Sequence, residues 1–97
     1  MPFELVTPQK GHRIHTNVTV GTGTGQIIGK NGNRKSVTFQ NQGSVTIFIG
    51  DASVTGSGAT TGYALFAGNS FTDNASNEAW FAIGASGTSN LHVIEVS

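Results

Sequence analysis

The stretch that decides the fold is Val37-Thr-Phe-Gln-Asn-Gln-Gly-Ser-Val-Thr-Ile-Phe-Ile-Gly50, in which two short apolar runs flank a polar interruption. Val37 and Phe39 share one face of the first run, and residues 45–49 form the second. Alternation with a period of two and enrichment in β-branched and aromatic residues indicate strands. Because Asn41-Gln-Gly43 consists of turn-forming residues, we expect the two strands to form a hairpin.

The rest of the chain repeats this pattern of short strands and turns. Glycine, threonine, serine and asparagine make up nearly half of the 97 residues, and good helix formers are scarce. Further strands are expected at 17–20, 27–28, 63–66, 70–72, 79–83 and 91–96. The sequence therefore predicts an all-β fold: a compact antiparallel β-sandwich, jelly-roll-like, with about seven to eight short strands.

The N-terminal segment differs from the rest of the chain. Residues 1–16 contain both prolines, Pro2 and Pro8, and few apolar side chains. Proline cannot donate a hydrogen bond to a sheet, which confines it to edges or to extended structure outside a sheet. We therefore predict an extended N-terminal arm over residues 1–16 and a single β-sandwich domain over residues 17–97.

The small size of the chain bears on its assembly. A domain of 10.0 kDa buries only a thin core of its own. Apolar surface shared with other copies would complete such a core, so we expect a homo-oligomer, with a trimer favoured.

Charge and residue content argue against several classes of protein. Five Lys+Arg balance five Asp+Glu, and this neutrality is unlike the basic footprint of nucleic-acid-binding proteins. The lack of cysteine removes disulfides and thiol chemistry. With neither a leader-like segment nor an apolar run of roughly 18 residues, we expect no conventional export and no membrane partner.

The charges are segregated along the chain. All five Lys and Arg residues precede Phe39, whereas every acidic residue except Glu4 follows it. The two halves could pair within one molecule, or they could be complementary to neighbouring copies or to an acidic platform. The sequence leaves these alternatives open.

No motif in the chain carries recognisable chemistry. The glycine-rich segment 21–32 does not match the phosphate-loop pattern, because that pattern needs glycine where Thr24 stands and serine or threonine where Asn31 stands. In an extended chain the side chains of His12 and His15 would point to opposite faces and would not converge on one metal ion. Both are therefore expected to be surface histidines. We therefore expect no enzymatic activity, no catalytic residue, no cofactor and no metal site.

Trp80 has two possible roles. With Phe81 and Ile83 beside it, its ring could be a platform for stacking a sugar, or it could pack in the core or in a subunit interface. Packing is the favoured interpretation.

Residues 34–97 carry an ordered pattern of strands and turns. Its elements are Val37–Gly50, the loop Ala52-Ser-Val-Thr55, Leu65-Phe-Ala-Gly68-Asn-Ser-Phe71, Ala79-Trp-Phe-Ala-Ile-Gly-Ala-Ser-Gly87 and Leu91-His-Val-Ile-Glu-Val96. In this order they resemble the small β-sandwich head decoration, or cement, proteins of tailed double-stranded DNA bacteriophages. The resemblance implies a protein made in the host cytoplasm that binds the major capsid protein on the outer surface of the virion and stabilises the head.

The resemblance and the arm together suggest where contacts with the capsid or with other copies lie. The candidate interface residues are Phe3, Leu5, Val6, Arg13, Trp80 and Phe81. The alternative function is a receptor- or glycan-binding module of a phage tail or fibre, which would require exposed aromatic residues in the loops.

Overall fold

Eight strands carry the fold, and the computed structural model describes residues 13–97. The strands are β1 (Arg13–Val20), β2 (Gly25–Ile28), β3 (Ser36–Asn41), β4 (Ile47–Gly50), β5 (Tyr63–Leu65), β6 (Ser70–Asp73), β7 (Trp80–Gly84) and β8 (Ser89–Val96). The only helical element in this part of the chain is a 3-10 turn at Gly58–Thr60.

The strands form two antiparallel four-stranded sheets. Sheet A has the order β1-β8-β3-β6, and sheet B has the order β2-β7-β4-β5. This is the strand order of a jelly roll, in which almost every connection crosses from one sheet to the other. The predicted all-β, antiparallel, jelly-roll-like sandwich is confirmed.

The predicted hairpin over residues 37–49 is wrong. β3 pairs with β6 and β8 in sheet A, whereas β4 pairs with β5 and β7 in sheet B. The chain between β3 and β4 crosses from one sheet to the other, so that the buried sides of both strands contribute to one core. The one hairpin between consecutive strands is β4–β5, closed by a long loop over residues 51–62.

The predicted boundary of the arm also moves. β1 begins at Arg13, so residues 13–16 belong to sheet A, and residues 1–12 lie outside the part of the chain described. This part of β1 is exposed and nearly devoid of apolar alternation, and for that reason its sequence did not indicate a strand. Its partner decides the conformation, because β1 pairs with β8 in unbroken register from Arg13 opposite Val96 to Val20 opposite Ser89.

The core lies between the two sheets, and a row of aromatic side chains leads from it to one side of the sandwich. Its fully buried members are Val37, Phe39, Ile47, Ile49, Leu65 and Leu91. Trp80 packs on Phe39 and Phe71 with ring centroids 5.4 and 5.8 Å apart, and Tyr63 lies 4.8 Å from Phe71. This aromatic row runs from the centre of the core to the side where β5 and β6 are the outermost strands.

Asn41, at the end of β3, joins the two sheets through its side chain. Its Nδ2 donates to the carbonyls of Val45 and Leu65, both at 2.8 Å. Its Oδ1 accepts from the Ser89 hydroxyl at 2.7 Å and from the Gly43 amide at 3.0 Å. The side chain is fully buried with four hydrogen bonds, and these bonds fix the path of the crossover from β3 to β4.

Arg34 performs a similar role at one end of the sandwich. Its side chain is wholly buried, and its Nε donates to the Glu95 carboxylate at 2.8 Å. The other two nitrogens donate to the carbonyls of Glu78 and Gly29 at 2.7 and 2.6 Å. Asn31 adds a further hydrogen bond to Glu95. One guanidinium thus ties β8 to the segments that precede β3 and β7.

Gly84 lies close to the backbone carbonyl groups of Gly87 and Gly21. A Cβ on this residue would overlap the Gly87 carbonyl oxygen and lie 3.1 Å from that of Gly21. Gly84→Ala should lower the free energy of unfolding by about 1 to 3 kcal/mol, because backbone atoms yield less readily than a flexible side chain. Gly23→Ala, where nothing lies within 4 Å, is the control in a urea titration. Equal losses in the two variants would contradict the expectation.

Candidate interaction surfaces

The outer face of sheet B is apolar at its centre. Ala82 and Gly84 of β7 point into the core, so the alternating residues Phe81 and Ile83 point outward, and Phe48 lies opposite Ile83 on β4. All three of these outward side chains are only half-buried.

The loop over residues 51–62, here termed the strap, folds back over this face. Val54 is 3% exposed and packs beside Gly50 and Gly62, while its carbonyl accepts a hydrogen bond from Thr24 Oγ1 at 2.8 Å. A Cβ on Gly56 would lie 3.5 Å from the Phe48 ring. The strap therefore covers part of the apolar surface that sheet B would otherwise present.

Asp51 fixes the start of the strap. Its Oδ1 accepts hydrogen bonds from the hydroxyl and the amide of Ser53, at 2.6 and 2.9 Å. These two bonds favour the ionised carboxylate and lower the pKa of Asp51 from its ordinary value of 3.8. A lowered pKa means that this stabilisation is present above the ordinary pKa and is lost as the pH falls through the folded-state value.

The outer face of sheet A is polar. The Thr38 and Thr72 hydroxyls bond across β3 and β6 at 2.9 Å, and His15 and His92 lie edge to face with ring centroids 6.2 Å apart. Ile94, 37% exposed, is the one large exposed apolar side chain of β8. Within residues 13–97 no group of three or more potential metal-ligating side chains comes together.

The side of the sandwich formed by β5 and β6 exposes aromatic rings. Tyr63 is 55% exposed and Phe66, directly after β5, is 57% exposed, while Phe71 on β6 is half-buried beside Tyr63. We call these three residues the aromatic edge. The chain from Ala52 to Thr72 carries no ionisable Lys, Arg, Asp, Glu or His residue.

The interface candidates from the sequence occupy different places. Trp80 packs into the aromatic row, where its Nε1 is buried without a hydrogen-bond partner, and its side chain as a whole is half-buried. Phe81 is its neighbour but faces outward, on the opposite side of sheet B. Arg13 is exposed at the start of β1. Phe3, Leu5 and Val6 lie outside the described residues.

Sequence reasoning did not single out Tyr63 or Phe66. Both lie in the strand predicted at 63–66, and alternation alone gives no reason to expect their exposure. The available signal was the uncharged run around them, because large aromatic side chains in a polar but uncharged segment are typical of contact surfaces.

Two ion pairs within the described residues connect charges from the two halves of the sequence. Arg34 bonds to Glu95, and Lys30 lies 3.8 Å from Glu78 with both side chains mostly exposed. Each pair joins the basic half of the sequence to the acidic half. Among residues 13–97, internal pairing therefore accounts for part of the segregation.

Two further findings concern membrane-spanning helices and similarity to known proteins. Nowhere in residues 13–97 is there a helix of the length and apolarity that crossing a bilayer requires. Comparison of the chain with protein-family models, with curated proteins and with solved structures finds no match.

Proposed function

We propose that this protein is a virion structural protein of a tailed bacteriophage, which binds the outer surface of the head and stabilises it. The observation that carries the proposal is the coincidence between the pattern of residues 34–97 and the folded elements. The pieces of the pattern correspond in order to β3 and β4, the start of the strap, the turn between β5 and β6, β7 with its following turn, and β8. A pattern distributed in this way describes a whole domain and not an isolated motif.

The surfaces support a passive binding role. The sandwich presents a polar sheet face, a second face partly covered by the strap, and an uncharged aromatic edge, all of them built on hydrogen-bonded strands. Rigid strand surfaces of this kind suit docking, because little conformational entropy is lost on binding. The proposed partners are the major capsid protein and other copies of this chain, with a trimer as the favoured assembly.

Stabilisation would follow from mass action. A protein that binds the assembled shell better than its separated subunits raises the free energy needed to break the shell. Each copy need contribute only a few kcal/mol, since an interface of ordinary size gives micromolar to nanomolar affinity and many copies act on one shell.

The scarcity of charge leads to a prediction about salt. Only 10% of the residues are Asp, Glu, Lys or Arg, and four of these residues pair with one another within the molecule. Few charges are therefore left for electrostatic contact with a capsid. We expect binding to isolated heads to weaken by less than about threefold between 50 and 300 mM salt, because apolar contacts are not screened. Cosedimentation of the protein with heads at the two salt concentrations measures this.

The function itself is tested by the heat resistance of heads with and without bound protein. We expect decorated heads to release their DNA at a higher temperature and the copy number per head to reach hundreds. Heads that are equally robust without the protein would contradict the proposal. If the protein instead binds host-surface glycans and occurs in a handful of copies per particle, the receptor-binding alternative replaces it.

A further inference from the structure

The aromatic edge is continuous with the core. Tyr63 contacts Phe71, Phe71 contacts Trp80, and Trp80 contacts the fully buried Phe39. The hydrophobic core thus opens to the surface at the side where β5 and β6 are the outermost of the described strands.

This side also lacks the features that prevent the edge strands of separate molecules from associating. Natural edge strands are commonly protected by charged side chains, by proline or by bulges. β5, β6 and the turn between them contain no lysine, no proline and no bulge in their pairing with β4 and β3, and Asp73 at the end of β6 is their single charge. Their one protection is that both strands are short.

The absence of charge favours a particular occupant. A partner rich in charge would lose hydration against the aromatic edge without gaining an ion pair. A second copy presents the same uncharged surface, so two or three equivalent edges can meet around a symmetry axis with no like-charge repulsion. Aromatic side chains in the centre of such a contact are the residue type that contributes most to affinity.

We infer that copies of this chain associate through the aromatic edge, with Tyr63 and Phe66 covered by the equivalent edge of a neighbour. The inference specifies the self-association that forms part of the proposed function. It can be tested without phage heads, so the two can fail separately.

The test is the mass of the full chain in solution, measured by light scattering after size exclusion at a fixed micromolar concentration. The unmodified chain should form an oligomer. Phe66→Lys should raise the dissociation constant on the order of 100-fold and yield monomer, because it places like charges on facing edges. Ile14→Lys is the matched control, since Ile14 is 49% exposed on β1 at the opposite side of the sandwich, and it should leave the oligomer intact.

A second pair of variants separates lost association from misfolding. Phe66→Lys and Phe66→Glu should each be a monomer with the thermal midpoint of an isolated folded domain, and a mixture of the two should associate more tightly than either variant alone, because contacts between opposite charges then become available. A monomeric unmodified chain would overturn the inference, and so would an oligomer that survives Phe66→Lys, whatever the effect of Ile14→Lys. A monomeric variant that still binds heads would leave the capsid-binding function standing.

Discussion

Asn41→Ala is expected to lower the free energy of unfolding by about 3 to 4 kcal/mol. The change leaves the Val45 and Leu65 carbonyls without their side-chain donor and removes the acceptor of the Ser89 hydroxyl. Each buried polar group that loses its partner costs on the order of 1 to 3 kcal/mol, which water entering the space partly offsets.

Urea denaturation followed by tryptophan fluorescence measures this effect, with Asn90→Ala as the control. Asn90 is exposed on β8, next to Ser89, and its replacement should change stability by less than about 0.5 kcal/mol. Asn41→Asp should be at least as damaging as Asn41→Ala, because a carboxylate would place an oxygen where an NH₂ group now donates to two carbonyls. A mild effect of both Asn41 variants would show that the crossover is held by backbone contacts alone.

Glu95→Ala is expected to destabilise the protein by about 3 to 5 kcal/mol. The substitution leaves the Arg34 guanidinium buried with no negative partner, and removing one member of a buried ion pair costs far more than the pair itself contributes. For the same reason, Arg34→Met combined with Glu95→Leu should be less destabilised than the sum of its single variants, since no uncompensated charge then remains.

The exposed pair of Lys30 and Glu78 provides the control for this prediction. Glu78→Ala removes a carboxylate 3.8 Å from Lys30 but keeps the backbone carbonyl that accepts from Arg34, so the loss should stay below about 1 kcal/mol. The effect of Glu95→Ala should persist at high salt, because a buried pair is screened far less than an exposed one. Similar losses in the two variants would mean that water reaches Arg34 freely.

The strands could be located from the sequence because each buried position leaves a local mark. Val37 and Phe39 alternate with polar residues, whereas Ile47 and Ile49 lie in a continuous apolar run with Phe48 between them. In each strand these are the side chains that enter the core. Their pairing could not be inferred in this way. Alternation shows which face of a strand is buried and gives no information on its neighbour, so a short polar interruption looks the same whether it closes a hairpin or carries the chain to the opposite sheet.

The candidate surfaces were harder to predict for a related reason. Asn41 looked like the first residue of a turn, and only the approach of Val45, Leu65 and Ser89 makes it a buried bridge. The exposure of Tyr63 depends on β5 being the outermost strand of sheet B. Both properties follow from contacts between residues distant in sequence, and a single sequence does not display such contacts.

The position of β8 has a consequence for the time at which the protein can fold. β8 is the last of the eight described strands along the chain, yet it lies between β1 and β3 in sheet A. Until β8 leaves the ribosome, β1 lacks the strand with which it pairs in the described part of the chain, and sheet A cannot close over the core. Folding of the described domain must therefore follow synthesis of β8, on the millisecond-to-second timescale of domains dominated by non-local pairing. Nascent chains would expose their apolar strands throughout that interval, which makes the yield of native protein sensitive to the rate and temperature of expression.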